Sequence, residues 1–133
     1  MRVLAVDLGT TATCAALVSE TKQVERVVLD GELEMASSIC YLRWSTDPKW
    51  EVGQKALRRR LEPAAQRAVI TQAKRRVGDD DHPFEVVPLD EPGETVTLTA
   101  TEALSHLYRE VLDQALRHRL ALGTAEVLIE RML

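Results

Sequence analysis

At 133 residues the chain has the length of one domain, and 45% hydrophobic with 29% charged residues is the composition of a globular fold. A formal net charge of −4 gives no general reason to expect nucleic acid as a partner; no apolar run is long enough to span a membrane, and Val3 to Val6 is too short for a signal-peptide core. A cytoplasmic location is the default expectation. Cys14 and Cys40 lack metal-ligand spacing and read as small buried residues in a reducing compartment.

Arg2 to Asp7, Thr13 to Ser19 and Gln23 to Leu29 are predicted as an antiparallel meander of three strands, closed by Asp30-Gly31. Between the first two strands lies Asp7-Leu8-Gly9-Thr10-Thr11, a tight turn that can hold a phosphate. Gly9 has no Cβ, so backbone can approach a ligand there, and consecutive N–H groups in a turn form an anion-binding concavity. Thr10 and Thr11 add hydroxyl donors. Asp7 puts a carboxylate beside them, which a bare phosphate would repel and a phosphate carrying Mg²⁺ would not. The turn therefore suggests a metal–nucleotide, although Asp-x-Gly-Thr also serves as a plain hairpin turn. It is not a Walker loop, because no G-x-x-x-x-G-K-[ST] occurs.

Ser38 to Trp44 is predicted as a strand, Ser45 to Lys49 as a polar turn and Trp50 to Val52 as a short extended piece, with Trp44 and Trp50 placed to pack across that turn. A helix is predicted over Gly53 to Leu61, and a second over Gln66 to Val77, stopped by Gly78. Lys55 to Arg76 is strongly basic and Asp79 to Glu94 strongly acidic; both read as solvated faces, Arg58-Arg59-Arg60 included. His82 beside Asp79, Asp80 and Asp81 reads as a solvated loop rather than a metal site. Phe84 to Leu89 and Thr95 to Leu98 form two further strands around the loop Asp90 to Glu94.

Thr99 and Glu102 have the spacing of a capping box, and Leu104, Leu107, Tyr108, Val111, Leu112, Ala115 and Leu116 recur on one face of a helix running to about Leu122, ended by Gly123. His106 and His118 read as ordinary helix-surface residues. Ala125 to Ile129 is a short apolar strand.

Three segments together carry a resemblance. Val3 to Val18, VLAVDLGTTATCAALV, resembles the opening of the seventy-kilodalton heat-shock chaperones of the DnaK type, members of the actin-like ATPase superfamily. Val52-Gly53-Gln54 with Ala56, Arg59 and Pro63 resembles the family's V-G-x-x-A-x-x-x-x-x-x-P segment, and Lys74-Arg75 before Val77-Gly78 resembles its K-R-x-x-G. The resemblance covers nearly all of this chain but only about the first third of a complete ATPase domain of this type. Ala12 and Leu33 to Ser37 depart from the family's pattern.

The fold implied is α/β: a partial ribonuclease-H-like, actin-like ATPase lobe in which residues 1–29 and 99–133 form the sheet core with its long helix, and residues 30–98 form an inserted α+β subdomain. The meander gains a parallel fourth strand. The resemblance further implies that Asp7 holds Mg²⁺ through water, that Gly9, Thr10 and Thr11 meet the β- and γ-phosphates of ATP or ADP, and that Lys74 is the catalytic lysine. A lysine aimed at the γ-phosphate can stabilise charge in phosphoryl transfer. The second phosphate loop, the adenosine pocket and the second lobe have no counterpart in these residues, so hydrolysis by this chain alone is expected to be negligible and nucleotide affinity weak. Two rivals stand beside this reading: a non-enzymatic protein-interaction module of the same fold, self-associating or binding a partner through an open sheet edge, and part of a sugar kinase.

Overall fold

The computed structural model describes residues 2–121, 128 and 129. Strict alternation of apolar side chains sets up its main sheet. β1 (Arg2–Leu8) and β2 (Ala12–Ser19) pair antiparallel with Leu4 opposite Leu17 and Val6 opposite Ala15, so both strands turn the same face to the core. β3 (Val24–Val27) lies on the other side of β2. The chain then reverses through Asp30 (φ 52°) and Gly31 (φ 80°), with Leu29 and Glu32 exchanging backbone hydrogen bonds of 2.8 and 3.0 Å. Positive φ at both central residues suits a two-residue hairpin turn. The return segment, β4 (Met35–Ala36), pairs with Ala12 and Thr13 of β2, at the lip of the Gly9 turn.

A second sheet has the order β6-β5-β7 and is built from β5 (Ser38–Arg43), β6 (Lys49–Val52) and β7 (Val69–Thr71). α1 (Gly53–Arg58) follows β6 and tightens into a 3₁₀ turn over Arg59–Leu61. The helix predicted over Gln66 to Val77 is not formed. Pro63–Ala68 is 3₁₀, and the three β-branched residues Val69, Ile70 and Thr71 pair with Cys40, Ile39 and Ser38 of β5 instead. Gln72 takes a left-handed conformation (φ 55°), after which Ala73–Arg76 makes a separate 3₁₀ turn.

The third sheet is the hairpin of β8 (Phe84–Val86) and β9 (Val96–Leu98). β8 stops short of the predicted Leu89 because the backbone N–H groups of Leu89 and Asp90 donate to the carbonyls of Tyr41 and Leu42, which ties the chain to β5. α2 (Ala100–Ala121) then crosses the molecule. Its capping box is as predicted: the Thr99 hydroxyl accepts from the Glu102 N–H, and the Glu102 carboxylate accepts from the Thr99 N–H, both at 3.2 Å. The buried stripe differs from the predicted one. Ala100, Ala103, Leu107, Val111 and Ala115 are buried, Leu104, Tyr108 and Leu112 are half-buried, and Leu116 is exposed. Small residues at the contact let the helix lie close to the layer beneath it.

Of the predicted last strand, Leu128–Ile129 pairs in parallel with Val3 and Leu4 of β1 as β10; Gly123 and Ala125 to Val127 lie outside the described residues. The main sheet therefore has the order β10-β1-β2-β3, with β4 also on β2. One continuous core joins the three sheets and α2, running from Leu4 and Leu17 through Met35, Ile39 and Tyr41 to Val86, Leu98 and Leu107. The chain is thus a mixed α/β fold with antiparallel sheets and a long helix. Among the described residues no helix is long and apolar enough to cross a membrane.

Candidate functional site

The Gly9 turn admits no other residue without moving backbone. A Cβ built on Gly9 would stand 2.2 Å from the Ala12 carbonyl oxygen, far inside van der Waals contact. The turn is braced from behind by Ser37. Its hydroxyl donates to the Gly9 carbonyl at 2.8 Å, and its backbone N–H donates to the Thr11 carbonyl at 2.9 Å. Because the Ser37 hydrogen is used on Gly9, the fully buried Thr13 hydroxyl is the donor in its 2.7 Å contact with Ser37 Oγ.

In the sequence Ser37 lies in a stretch that departs from the DnaK-type pattern and carries no expectation of its own. No local signal marks it, because the pairing of Met35–Ala36 with β2 that carries Ser37 to the turn is a long-range contact. Ser37→Ala leaves a buried carbonyl and a buried hydroxyl without their partner, and a loss of about 1–2 kcal/mol is expected in urea unfolding.

Asp7 sits opposite Cys14, on the sheet face turned away from Leu4 and Val6. It shares that face with Ala5 and Ala16, whose short side chains leave it exposed. Among the described residues its carboxylate makes no hydrogen bond or ion pair, and the hydroxyls of Thr10 and Thr11 are also without protein partners. The turn thus carries a free carboxylate and two free hydroxyls, on a backbone whose Gly9 is packed against the Ala12 carbonyl. That set fits a phosphate with Mg²⁺ reached through water. No group of three or more His, Cys, Asp or Glu side chains among the described residues is arranged to hold a metal ion directly.

Gly53 has a distinct physical reason. Its φ of 79° is left-handed, and a Cβ there would lie 2.6 Å from Asp30 Oδ2 and 2.8 Å from Met35 Cγ. Asp30 is in turn held by Gln114, through bonds of 2.8 and 2.9 Å, so the start of α1, the β4 segment and α2 meet at Asp30. Lys74 lies on a different element. It is exposed, in the 3₁₀ turn that packs against α2, and no hydrogen bond or ion pair joins it to Asp7, Thr10 or Thr11.

Two expectations are corrected by packing. Arg59 is not part of a solvated run: its guanidinium meets Glu51 at 2.7 Å and Glu62 at 3.1 Å, and these hydrogen bonds hold its pKa above the ordinary arginine value. Glu51 faces Cys40 across β5 and β6, and burial, with Glu51 next in weight, pushes the Cys40 thiol up to about 11. Cys40 is therefore expected to stay unmodified by a thiol reagent near pH 8 while half-buried Cys14 reacts first; two equally fast thiols in the folded protein would contradict this burial.

His106 is the second correction. It is not on the helix surface but stacked on Trp50, with ring centroids 4.3 Å apart and planes at 25°. Trp44 lies 5.6 Å away, and the fully buried Tyr41 meets the rings of both tryptophans edge-on. Both tryptophans thus pack on Tyr41 and His106. The Tyr41 hydroxyl stands 2.8 Å from His106 Nδ1. Burial holds the phenol protonated well above its ordinary range, so it donates and Nδ1 accepts, leaving the imidazole proton on Nε2. His118, half-buried, faces Glu25 of β3 at 3.3 Å. His82 stays in its exposed loop, 2.9 Å from Asp79.

Comparison with protein-family models yields no match to this chain, and comparison with curated proteins yields none either.

Proposed function

We propose that the chain supplies one wall of a Mg-nucleotide site in a DnaK-like chaperone ATPase, with the partial actin-like lobe that this implies. The observation that carries this reading is the Gly9 turn, which excludes a Cβ, is fixed from behind by Ser37 and presents Asp7, Thr10 and Thr11 without protein partners. In this reading backbone N–H groups of the turn and the two threonine hydroxyls hold β- and γ-phosphate oxygens of ATP or ADP, and Asp7 orients waters of the bound Mg²⁺. Mg²⁺ would spread the phosphate charge. Lys74 would stabilise charge on the γ-phosphate, a role that rests on the K-R-x-x-G resemblance. One wall does not clamp a nucleotide, so weak binding and negligible turnover by this chain are part of the proposal.

Calorimetric titration with Mg-ATP and Mg-ADP tests it. Weak saturable binding is expected, lost in Asp7→Ala, whose exposed carboxylate has no structural partner to disturb. Absence of heat at millimolar nucleotide would sink the reading. That result would favour an interaction module instead, which one observation already supports: β3 is an outer strand of the main sheet, and Val24 on it is 65% exposed.

A further inference from the structure

The basic stretch before Gly78 contains a depression that the nucleotide reading does not use. Its volume is about 400 Å³, within the size range of small-ligand pockets. It opens between β7, the Ala73–Arg76 turn and β8. Ile70 and Phe84 supply apolar wall, and the polar lining comes from Thr71, Gln72, Arg75 and Arg76. Among the described residues no carboxylate lines it.

This absence is notable because Asp79, Asp80 and Asp81 follow within a few residues. Asp79 pairs with His82, and neither Arg75 nor Arg76 makes an ion pair or hydrogen bond through its side chain among the described residues. Arg59 and Arg43 are engaged, by Glu51 and Glu62 and by Asp47, whereas Arg58, Arg60 and Arg67 share the unpaired state of Arg75 and Arg76; what sets the latter two apart is that they line a depression. Arg76 is nevertheless oriented. Its guanidinium carbon lies 4.3 Å from the Phe84 ring centroid, a cation–π contact that holds the fork at the depression without using its N–H groups. Gln72, at the rim, holds a left-handed φ of 55° that a residue with a Cβ adopts at a cost, and such positions cluster at ligand sites.

We propose that this depression binds a phosphate group, held between the Arg75 and Arg76 guanidiniums with Thr71 and Gln72 as further donors, and with room over Ile70 and Phe84 for the organic part of a phosphate monoester. Guanidinium forks match phosphate oxygens in pairs, and two of them with no carboxylate partner leave that capacity unused here. No residue from Asp7 to Thr11 lines the depression, and Lys74, the one residue of the Ala73–Arg76 turn that the nucleotide reading uses, does not line it either.

Backbone amide spectra of the ¹⁵N-labelled 133-residue chain, titrated with inorganic phosphate or phenyl phosphate at constant ionic strength, test the proposal. Saturable shifts are expected at Thr71, Gln72, Arg75 and Arg76. Arg75→Gln and Arg76→Gln should each weaken binding about tenfold, the scale of one charge-assisted contact, while Arg58→Gln on α1 leaves it unchanged. Tighter binding of phenyl phosphate assigns the site to an organic phosphate, and equal binding assigns it to free phosphate; both support it. Shifts that do not saturate, that Arg58→Gln reduces as much as the pocket variants, or that centre on Gly9 to Thr11 would overturn it. Because Asp7→Ala removes only the Mg-nucleotide titration, failure of one site is distinguishable from failure of the other.

Discussion

Gly9→Ala is expected to lower stability by about 2–3 kcal/mol, or roughly 10 °C in thermal midpoint, and, on the proposed nucleotide reading, to abolish Mg-nucleotide binding. The cause is a backbone collision rather than conformational preference: the new methyl would fall 2.2 Å from the Ala12 carbonyl oxygen, and no rotamer change relieves a contact with backbone. The turn would have to open. Opening it moves the Gly9 and Thr11 carbonyls off Ser37, leaving the buried Thr13 and Ser37 hydroxyls poorly paired. Gly93→Ala is the internal control, since a Cβ there meets nothing within 4 Å and the residue lacks a positive φ, so its effect should be close to zero. Equal midpoints for the two variants, by thermal unfolding followed by circular dichroism, would show that the close approach at Gly9 is not a constraint.

The elements legible in the sequence were those whose signal is local. The meander followed from period-two alternation, the Asp30-Gly31 reversal from turn chemistry, and the start of α2 from the Thr99 and Glu102 pair, each needing only a few adjacent residues. Gln66 to Val77 failed for the complementary reason. Ala65, Ala68 and Ala73 have spacings compatible with helix, but the decision rests with β5, whose Ser38, Ile39 and Cys40 offer a strand edge to Val69, Ile70 and Thr71. Tertiary pairing overrides local propensity there.

The candidate site divides in the same way. Asp7, Gly9, Thr10 and Thr11 were legible because they are consecutive, whereas Ser37 braces the turn across 28 positions of sequence. His106 misled for a related reason: nothing near it in sequence indicates that Trp44 and Trp50 arrive on either side. Arg59 likewise looks like one of three surface arginines until Glu51 is brought to it by the end of β6.

Tyr41→Ala is expected to be the more damaging of the two substitutions argued here, at about 3–5 kcal/mol, because a fully buried ring at the meeting point of β5 and α2 is removed. Tyr41→Phe keeps the ring and should cost only about 1 kcal/mol, the value of the hydrogen bond to His106 Nδ1. The histidine adds a pH dependence with a definite sign. Burial, with Arg109 acting in the same direction and Glu102 against it, holds His106 below its ordinary value of 6.5. As pH falls through 6.5 the unfolded chain takes up the proton while the folded one resists it, so this part of the stability is complete above 6.5 and is lost toward the depressed folded value. Tyr41→Ala admits water beside the imidazole, which should raise its pKa and flatten that dependence. Urea unfolding between about pH 7.5 and pH 5, read by the fluorescence of Trp44 and Trp50 and taken as the difference from His106→Gln, isolates the imidazole from the carboxylates that also titrate there. A wild-type decline no steeper than that of His106→Gln would mean that the imidazole is not held neutral by its burial between Tyr41, Trp44 and Trp50.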